Sequence, residues 1–281
     1  MSWKFAKTAV ITGAGSGIGR ALALEFARNG FQVGVSDINS QAAEETLARV
    51  KSEGGSGERF RCDVRIPEEV ESMADHFFGL WGEVGLLANN AGLMASGYME
   101  EIPLEEWRRV VDTDLWGPVH GCRAFLPRMK KQKAGHILIT ASMAGVTPPL
   151  EESPYSVAKA GAIALGESLK TELAPFNIGV TILNPMGVNT NVVRSSYCSG
   201  DVKELWELSF RSTRLTADDI ARKAVQAVRK NRLYLFPHFH GRMFWYQKRL
   251  FPEAFFAILA FLNRKGLAKP WLRQMAKRGW L

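Results

Sequence analysis

The sequence has few cysteines, no cluster of metal-binding residues and no long apolar run. Its three cysteines, Cys62, Cys122 and Cys198, lie far apart and form no CxxC pair, which argues against a disulfide framework or a zinc ribbon. The five histidines also lack the spacing of metal ligands. The longest apolar run, at residues 254–262, is much shorter than the ~18–20 residues of a membrane-spanning helix. We therefore expect no metal centre, no disulfides and no transmembrane segment.

No secretory signal is visible at the amino terminus, so we expect a cytoplasmic protein. The net charge of +8 is unevenly distributed along the chain. Residues 229–281 contain twelve lysines and arginines and one acidic residue, Glu253, for a net charge of +11, whereas residues 1–228 carry −3. The basic character therefore belongs to the C-terminal segment and not to the rest of the chain.

Short β-branched apolar runs alternate with longer amphipathic stretches over the first 237 residues. The predicted strands are residues 8–12, 32–36, 58–62, 84–88, 136–140, 179–183 and 233–236. The predicted helices are residues 18–29, 41–52, 68–81, 104–131, 155–175 and 217–230. This alternation is typical of an α/β fold with a doubly wound parallel sheet of about seven strands. No linker divides residues 1–237, so we predict a single domain there, followed by a basic, aromatic helical extension at residues 238–281.

A glycine-rich segment, Thr12–Gly19 (TGAGSGIG), follows the first predicted strand and leads into the first predicted helix. Glycines allow a tight turn and a close approach to a diphosphate, and the free N–H groups at the start of a helix bind anions. Asp37 follows the second predicted strand, where a carboxylate can accept both ribose hydroxyls of an adenosine and would repel a 2′-phosphate. No arginine or lysine stands at positions 14–18 or 38. The pattern predicts binding of NAD rather than NADP.

A second motif consists of Tyr155 and Lys159 near the start of a predicted helix. Residues four apart share one face of a helix, so the phenol and the ammonium point the same way. A tyrosine with its ordinary pKa of about 10 is a poor base at neutral pH, and a neighbouring ammonium favours the phenolate. Ser142 ends the fifth predicted strand, at the sheet edge where such folds bind ligands. The three residues together predict a centre for acid/base chemistry.

These motifs, in this order, resemble those of the short-chain dehydrogenase/reductase family over residues 5–237. The matching positions are Thr12–Gly19, Asp37, Cys62-Asp63-Val64, Asn89-Asn90-Ala91-Gly92, Ser142, Tyr155 with Lys159, and Asn184-Pro185 with Thr190. The resemblance implies a Rossmann-like domain that oxidises or reduces its substrate by hydride transfer to or from the nicotinamide cofactor. It also implies a homodimer or homotetramer, formed through the helices predicted at 104–131 and 155–175.

The resemblance further assigns roles to individual residues. It implies that Tyr155 is the general acid/base, that Lys159 binds the nicotinamide ribose and lowers the pKa of Tyr155, and that Ser142 hydrogen-bonds to the reacting oxygen. Cofactor contacts are expected from Gly13, Ser16, Gly17, Ile18, Gly19, Asp37, Asp63, Val64, Asn90, Ala91, Gly92, Tyr155, Lys159, Val188 and Thr190. Within this set Asp63 and Val64 are expected at the adenine and Asn90 on the adenosine side. Val188 and Thr190 are expected at the nicotinamide carboxamide.

Two positions depart from the family's usual pattern. Asp114 stands where the family usually has an asparagine that supports a water relay to the lysine. We hypothesise that Asp114 retains this relay, and we include it among the catalytic residues. Met186 stands between Pro185 and Gly187, where the family usually has Pro-Gly, and places a bulky side chain near the nicotinamide.

The expected substrate side is mostly apolar. Substrate contacts are predicted from Met94, Ser142, Val146, Leu150, Tyr155 and Met186, although the apolar members of this set could instead only pack a loop. The composition favours a hydrophobic secondary alcohol and its ketone or aldehyde as substrates. Two alternatives remain open: a nucleotide-binding scaffold or redox sensor with little turnover, and a dehydratase or epimerase on the same fold.

The C-terminal segment contains twelve aromatic residues beside its twelve bases, between residues 229 and 281. It could be a helical segment packed on the body or across a subunit interface, or a peripheral attachment to an anionic membrane. Some family members that act on retinoids, steroids or lipids carry similar extensions. No nucleic-acid recognition motif accompanies the charge, so we do not expect nucleic-acid binding.

Overall fold

A seven-stranded parallel sheet forms the centre of the protein in a computed structural model, which describes residues 3–189, 196–199 and 202–280. The strands of this sheet are β1 (Thr8–Thr12), β2 (Gln32–Asp37), β3 (Ser56–Arg61), β4 (Leu86–Asn89), β6 (Gly135–Thr140), β7 (Ile178–Leu183) and β9 (Tyr234–Leu235). Their order is β3-β2-β1-β4-β6-β7-β9, so the winding direction reverses between β1 and β4. Two short strands, β5 (Ala95–Ser96) and β8 (Tyr197–Cys198), pair separately. The predicted α/β fold is confirmed.

Helices cover both faces of this sheet. The α-helices are α1 (Gly17–Arg28), α2 (Ser40–Ser52), α3 (Pro67–Trp81), α4 (Leu104–Val111), α5 (Gly117–Gln132), α6 (Met143–Val146), α7 (Ser153–Glu172), α8 (Val202–Ser212), α9 (Ala217–Arg229), α10 (Phe239–Leu250), α11 (Pro252–Arg264) and α12 (Ala268–Lys277). A 3-10 turn spans Ala174–Phe176. In β1, Ala9 and Ile11 pack in the same cluster as side chains of α1, α2 and α9, whereas Val10 packs with side chains of α3, α5 and α7. Alternate strand residues thus bury both faces of the sheet, at about 1.5–3 kcal/mol for each large aliphatic side chain.

The long helix predicted at residues 104–131 is interrupted in the structure. A π-helical turn, Asp112–Trp116, separates α4 from α5. Such a turn inserts an extra residue into the helix and changes the direction of its side chains, and it occurs frequently at functional sites. Asp114 lies inside this turn and is fully buried. The periodicity of the sequence does not reveal the turn, because apolar residues continue at helical spacing on both sides of it.

The C-terminal segment forms three helices, α10, α11 and α12, that pack beside the carboxyl edge of the sheet. Helix α12 contacts α8, and the Trp280 indole stacks on the His240 ring with 4.6 Å between ring centroids. Gly241 in α10 lies against Met143 and Met186, where a Cβ would be 3.2–3.3 Å from their side-chain atoms. Within the described ranges, no helix has both the length and the apolar character needed to cross a membrane.

Candidate active site

A cavity of about 650 Å³ lies at the edge of the sheet where the winding direction reverses. Its volume falls in the range of about 300–1,000 Å³ that is typical of ligand sites, and doubly wound sheets bind ligands at this edge. The cavity extends from the glycine-rich segment at residues 13–19, past Tyr155 and Lys159, to the C-terminal helices.

The glycine-rich segment has the close backbone packing that the sequence predicts. Gly13 has a φ of +64°, and a Cβ at this position would lie 2.7 Å from the Ala91 Cα. A Cβ on Gly19 would overlap the Gly13 carbonyl oxygen. The Ser16 side chain caps no N–H group of α1, and the first turn of this helix has no acidic residue. Since residues 16–19 line the cavity, the positive end of α1 is available to a phosphate group.

Asp37 lies at the end of β2 beside this segment. Its Oδ2 accepts the Gly15 N–H at 2.8 Å, and its Oδ1 accepts the Asn39 N–H at 2.9 Å. These two hydrogen bonds fix the carboxylate at the cavity wall, and each oxygen has a further lone pair for a ribose hydroxyl. The next residue, Ile38, is half exposed and also lines the cavity. No basic side chain at position 38 is present to receive a 2′-phosphate.

Asn90 links three strands instead of reaching into the cavity with free polar atoms. Its Nδ2 donates to the Thr12 carbonyl at 3.0 Å, and its Oδ1 accepts from the Thr140 hydroxyl at 3.0 Å. The backbone N–H of Asn90 also donates to the Thr12 hydroxyl at 2.9 Å. Both ends of the amide are therefore engaged with β1 and β6. Asn90 thus holds the glycine-rich segment in place and also lines the cavity, and its contact with the adenosine stays a prediction.

Asp63, expected at the adenine, is paired with a neighbouring arginine. The Arg65 guanidinium donates to both carboxylate oxygens, with Nη2–Oδ2 at 2.6 Å and Nε–Oδ1 at 2.9 Å. This pairing lowers the pKa of Asp63 below its ordinary value. Val64 packs against Gly117 at the start of α5, and both Asp63 and Val64 line the cavity. Arg65 was not expected at the site, because its arrangement depends on the turn that follows β3.

Tyr155, Lys159 and Asp114 meet in the middle of the cavity. The Lys159 Nζ lies 3.0 Å from Asp114 Oδ2, 2.8 Å from the Thr140 carbonyl oxygen, and 5.7 Å from the centroid of the Tyr155 ring. The side chains of Lys159 and Asp114 are 4% and 0% exposed. Asp114 Oδ1 also accepts the Leu93 N–H at 2.9 Å. An ammonium has three N–H donors, so one remains for a ligand hydroxyl.

Gly92 makes room for this ion pair. A Cβ on Gly92 would lie 2.9 Å from Asp114 Oδ2 and 3.2 Å from Lys159 Nζ. Burial raises the pKa of Asp114, and the Lys159 ammonium opposes that rise. The ammonium 3.0 Å away favours the ionised carboxylate over the neutral acid.

The pKa of Tyr155 is raised above its ordinary value, which differs from the expected lowering by Lys159. Burial of the phenol is the largest cause, and the negative charge of Asp114 adds to it, whereas a hydrogen bond with Ser142 acts in the opposite direction. The carboxylate of Asp114, 3.0 Å from the Lys159 ammonium, offsets the positive charge of Lys159, as the presence of an aspartate at this position suggests. The phenol therefore holds its proton at neutral pH in this arrangement.

Ser142 ends the loop after β6 and is oriented by the short helix α6. Its Oγ accepts the Ala144 N–H at 3.1 Å, and the same hydroxyl is hydrogen-bonded with the Tyr155 phenol. Ser142 is buried and lines the cavity together with Tyr155. A carbonyl oxygen placed between the two hydroxyl groups would receive two hydrogen bonds.

The predicted substrate side is only partly as expected. Met94, Ser142, Tyr155 and Met186 line the cavity, as does Val188 on the cofactor side. Val146 and Leu150 are not among the lining residues. The wall there is formed by Thr147, Pro148 and Pro149, because the chain leaves α6 immediately after Val146. Thr190, expected at the carboxamide, lies outside the described residues.

Sequence reasoning missed the part of the outer wall that the C-terminal helices form: Phe244, Phe255, Leu259, Trp271, Leu272 and Met275. Trp206 and Phe210 of α8 complete this wall. The aromatic content of residues 229–281 was the available signal, but it does not specify which side chains face inward. The wall also includes Glu152, and burial raises the pKa of this carboxyl to about 8. Among the described residues, no group of histidine, cysteine and acidic side chains could hold a metal ion.

Comparison with known proteins gives a consistent set of relatives. The model of the family described as short chain dehydrogenase matches residues 7–198. The "Probable oxidoreductase EphD" of Mycobacterium tuberculosis is 36% identical over 187 residues, which are 66% of this chain and 32% of that protein. The chain thus spans about a third of the length of this relative.

Two further relatives match over most of their length. The "1-deoxy-11-beta-hydroxypentalenate dehydrogenase" of Streptomyces exfoliatus is 31% identical over 244 residues, 84% of this chain and 85% of that protein. A crystal structure of a short chain dehydrogenase/reductase from Burkholderia phymatum in complex with NAD superimposes with a TM-score of 0.82 at 30% identity, and covers 89% of this chain and 96% of that one.

Proposed function

Because this chain belongs to the short-chain dehydrogenase/reductase family of oxidoreductases, we propose that it interconverts a hydrophobic secondary alcohol and its ketone with NAD as the cofactor. One observation carries the proposal. The phenol of Tyr155, the ammonium of Lys159 and the hydroxyl of Ser142 line the same cavity as a glycine-rich segment with an uncapped helix start. A group that binds a diphosphate and a group that transfers a proton are thus combined in one site.

The residues present fit a dinucleotide. The uncapped start of α1 and the tight backbone at Gly13 and Gly19 would hold the diphosphate. The fixed carboxylate of Asp37 would accept the hydroxyls of the adenosine ribose and repel a 2′-phosphate, which favours NAD over NADP. The remaining N–H donor of Lys159 would bind the second ribose. When bound, the nicotinamide supplies or accepts the hydride.

The residues around Tyr155 provide the proton. In reduction, the carbonyl oxygen accepts hydrogen bonds from Ser142 and Tyr155, and Tyr155 donates its proton as negative charge develops on that oxygen. The raised pKa of Tyr155 keeps the phenol protonated at neutral pH, so the site is prepared for reduction. Asp114 acts as a positioning residue, because it holds Lys159 in place through the contact at 3.0 Å.

The lining of the outer cavity supports the proposal of an apolar substrate. Met94, Trp206 and Phe210 lie in one apolar cluster with Tyr155, and the C-terminal helices add further aromatic residues. Glu152 adds no charge at neutral pH, because its raised pKa of about 8 keeps the carboxyl largely protonated. These walls favour an apolar ketone over a sugar or a carboxylic acid.

The experiment is an absorbance assay of NADH consumption and NAD⁺ reduction over a panel of steroids, retinoids, aryl alcohols and fatty alcohols, with their ketones or aldehydes. We expect turnover with apolar members of the panel and a preference for NADH over NADPH. The variant Tyr155→Phe should lose about 10²–10⁴-fold in kcat while it still binds NADH. Binding of NADH without turnover on any substrate would instead favour a scaffold or a redox sensor. Conversion of substrate without a change in NADH would favour a dehydratase or an epimerase.

We also propose that residues 1–237 form the catalytic domain, that residues 238–281 close its substrate side, and that the protein is a homodimer or homotetramer. Exposed apolar side chains support the last point at the two helical regions predicted as interfaces. Leu104 begins α4, Trp116 ends the π turn, and Val157 lies in α7. Sedimentation analysis of the purified protein tests the oligomeric state.

A further inference from the structure

The outer face of helix α11 is apolar and exposed. Ile258 and Phe261 are 60% and 54% exposed, and Phe251, just before the helix, is 66% exposed. No residue of α11 is buried, although most of its residues are apolar. Residues seven and three apart lie on one side of a helix, so these three side chains form a continuous strip. We call this strip of Phe251, Ile258 and Phe261 the outer face of α11.

The adjacent side of the same helix faces the active-site cavity. Phe255 and Leu259, four residues apart, line the cavity. Helix α11 is therefore apolar on two adjacent sides, and among the residues that the structure describes the cavity side is covered while the outer face is exposed. A helix of 13 residues is about 20 Å long, which is too short to cross a hydrocarbon layer of about 30 Å but long enough to lie in its interface.

Basic residues stand at both ends of the outer face. The exposed Arg249 comes just before it in α10, and the exposed Arg264 and Lys265 come just after it. The Arg249 guanidinium lies over the Trp245 ring at 5.5 Å, which places an aromatic side chain beside the charge. Apolar side chains flanked by bases and aromatic residues are complementary to the interface of an anionic membrane.

A second copy of this chain is a poorer partner for this surface. A twofold interface places the same patch of each subunit against itself, so bases at the ends of one outer face would meet bases of the other. An anionic lipid surface accepts the same apolar strip and neutralises these charges. We propose that the outer face of α11, with the basic residues at its ends, docks this protein on the surface of an anionic membrane.

Docking in this manner places a single helix between the membrane and the cavity. A ketone or alcohol dissolved in the lipid would then lie next to the wall formed by Phe255 and Leu259. This consequence rests on the proposed function, whereas the docking itself does not.

The test is flotation of the purified full-length chain with vesicles of phosphatidylcholine alone and of phosphatidylcholine mixed with phosphatidylglycerol. The wild-type protein should float with the anionic vesicles and remain below with the neutral ones. The double variant Ile258→Glu/Phe261→Glu should bind anionic vesicles at least about tenfold less. The control Leu80→Glu changes a residue of α3 that is 53% exposed, and it should float like the wild type.

A second variant tests the proposal independently, in case the first variant fails to fold. Arg264→Gln/Lys265→Gln leaves the apolar strip intact and should weaken binding to anionic vesicles, as should salt at about 0.5 M. Turnover of a water-soluble ketone should be the same in the Ile258→Glu/Phe261→Glu variant as in the wild type, because these side chains lie outside the cavity. Loss of vesicle binding and loss of oxidoreductase activity are thus separate outcomes.

Three results would overturn the docking proposal. The first is a wild-type protein that remains in the bottom fraction of the gradient with both kinds of vesicle. The second is equal vesicle binding by the wild type and the Ile258→Glu/Phe261→Glu variant. The third is a wild-type protein that sediments as a dimer and binds no vesicles, together with an Ile258→Glu/Phe261→Glu variant that sediments as a monomer. That result would make the outer face an interface between copies of this chain.

Discussion

Replacement of Asp114 by asparagine should lower the pKa of Tyr155 and make alcohol oxidation possible at lower pH. The substitution keeps the shape of the side chain and an oxygen that can accept the Leu93 N–H. It removes the negative charge that now lies 3.0 Å from the Lys159 ammonium and raises the pKa of Tyr155. Lys159 would then act on the phenolate without an opposing charge.

The size of the effect follows from the distances in the site. Asp114 lies 3.0 Å from Lys159 Nζ, which is itself 5.7 Å from the centroid of the Tyr155 ring, so we take about 6 Å as the scale of its distance from the phenolate. Unit charges at this distance interact by about 3 kcal/mol at an effective dielectric constant of about 20. At about 1.4 kcal/mol per pH unit, this energy corresponds to about 2 units of pKa. Because the asparagine dipole still binds Lys159, we expect a decrease of about 1–2 units.

The assay is the pH dependence of kcat/KM for an alcohol at saturating NAD⁺. The rising limb reports loss of the Tyr155 proton, and in Asp114→Asn it should shift to lower pH by about 1–2 units. Asp112→Asn makes the same change in the same π turn at a half-buried side chain and should leave the limb in place. The explanation would be refuted if the rising limb of kcat/KM stayed at the same pH in Asp114→Asn, even with faster turnover, or moved to higher pH.

Three further predictions concern other parts of the site. The pKa of Glu152 is about 8 in the folded protein and 4.5 when unperturbed, so the contribution of this carboxyl to the free energy of unfolding is fully present below pH 4.5 and is lost as the pH rises through 8, by on the order of 5 kcal/mol. In Glu152→Gln the free energy of unfolding, measured in urea at about pH 5 and about pH 9, should no longer show this loss. A loss equal to that of the wild type would contradict the prediction. Asp37→Ala should raise the KM for NADH and lower that for NADPH, and loss of both equally would argue against its role at the ribose. Leu259→Trp should fill the outer cavity and raise the KM for bulky ketones more than for small ones, whereas an equal change for both would place the substrate elsewhere.

Local patterns accounted for most of the fold and for the centre of the site. Each strand and helix is indicated by the spacing of apolar residues within its own segment, so the segment can be recognised without knowledge of its contacts. The strand β1 was accordingly predicted with its observed bounds, Thr8–Thr12. The glycine-rich segment and the pair Tyr155 and Lys159 are also local, because each is fixed by one turn or one helix face. Their convergence at one sheet edge follows from the winding of the parallel sheet.

Features that depend on contacts between distant segments could not be predicted from these local patterns. The engagement of the Asn90 amide with Thr12 and Thr140 joins three strands that are separated by about 80 and 50 residues. The raised pKa of Tyr155 depends on the burial of the phenol and, second, on the charge of Asp114, which lies in the π turn. Helix α11 has apolar residues on both sides, so its periodicity does not indicate which of them face the cavity.

The most direct test of the central claim uses NADH that carries deuterium at the transferring position of the nicotinamide. The wild-type protein is incubated with an apolar ketone, and the alcohol product is analysed by mass spectrometry. If Tyr155 protonates the oxygen while the cofactor delivers the hydride, the deuterium appears at the carbinol carbon of the product. Product without deuterium, or a substrate altered without consumption of the labelled cofactor, would contradict the account.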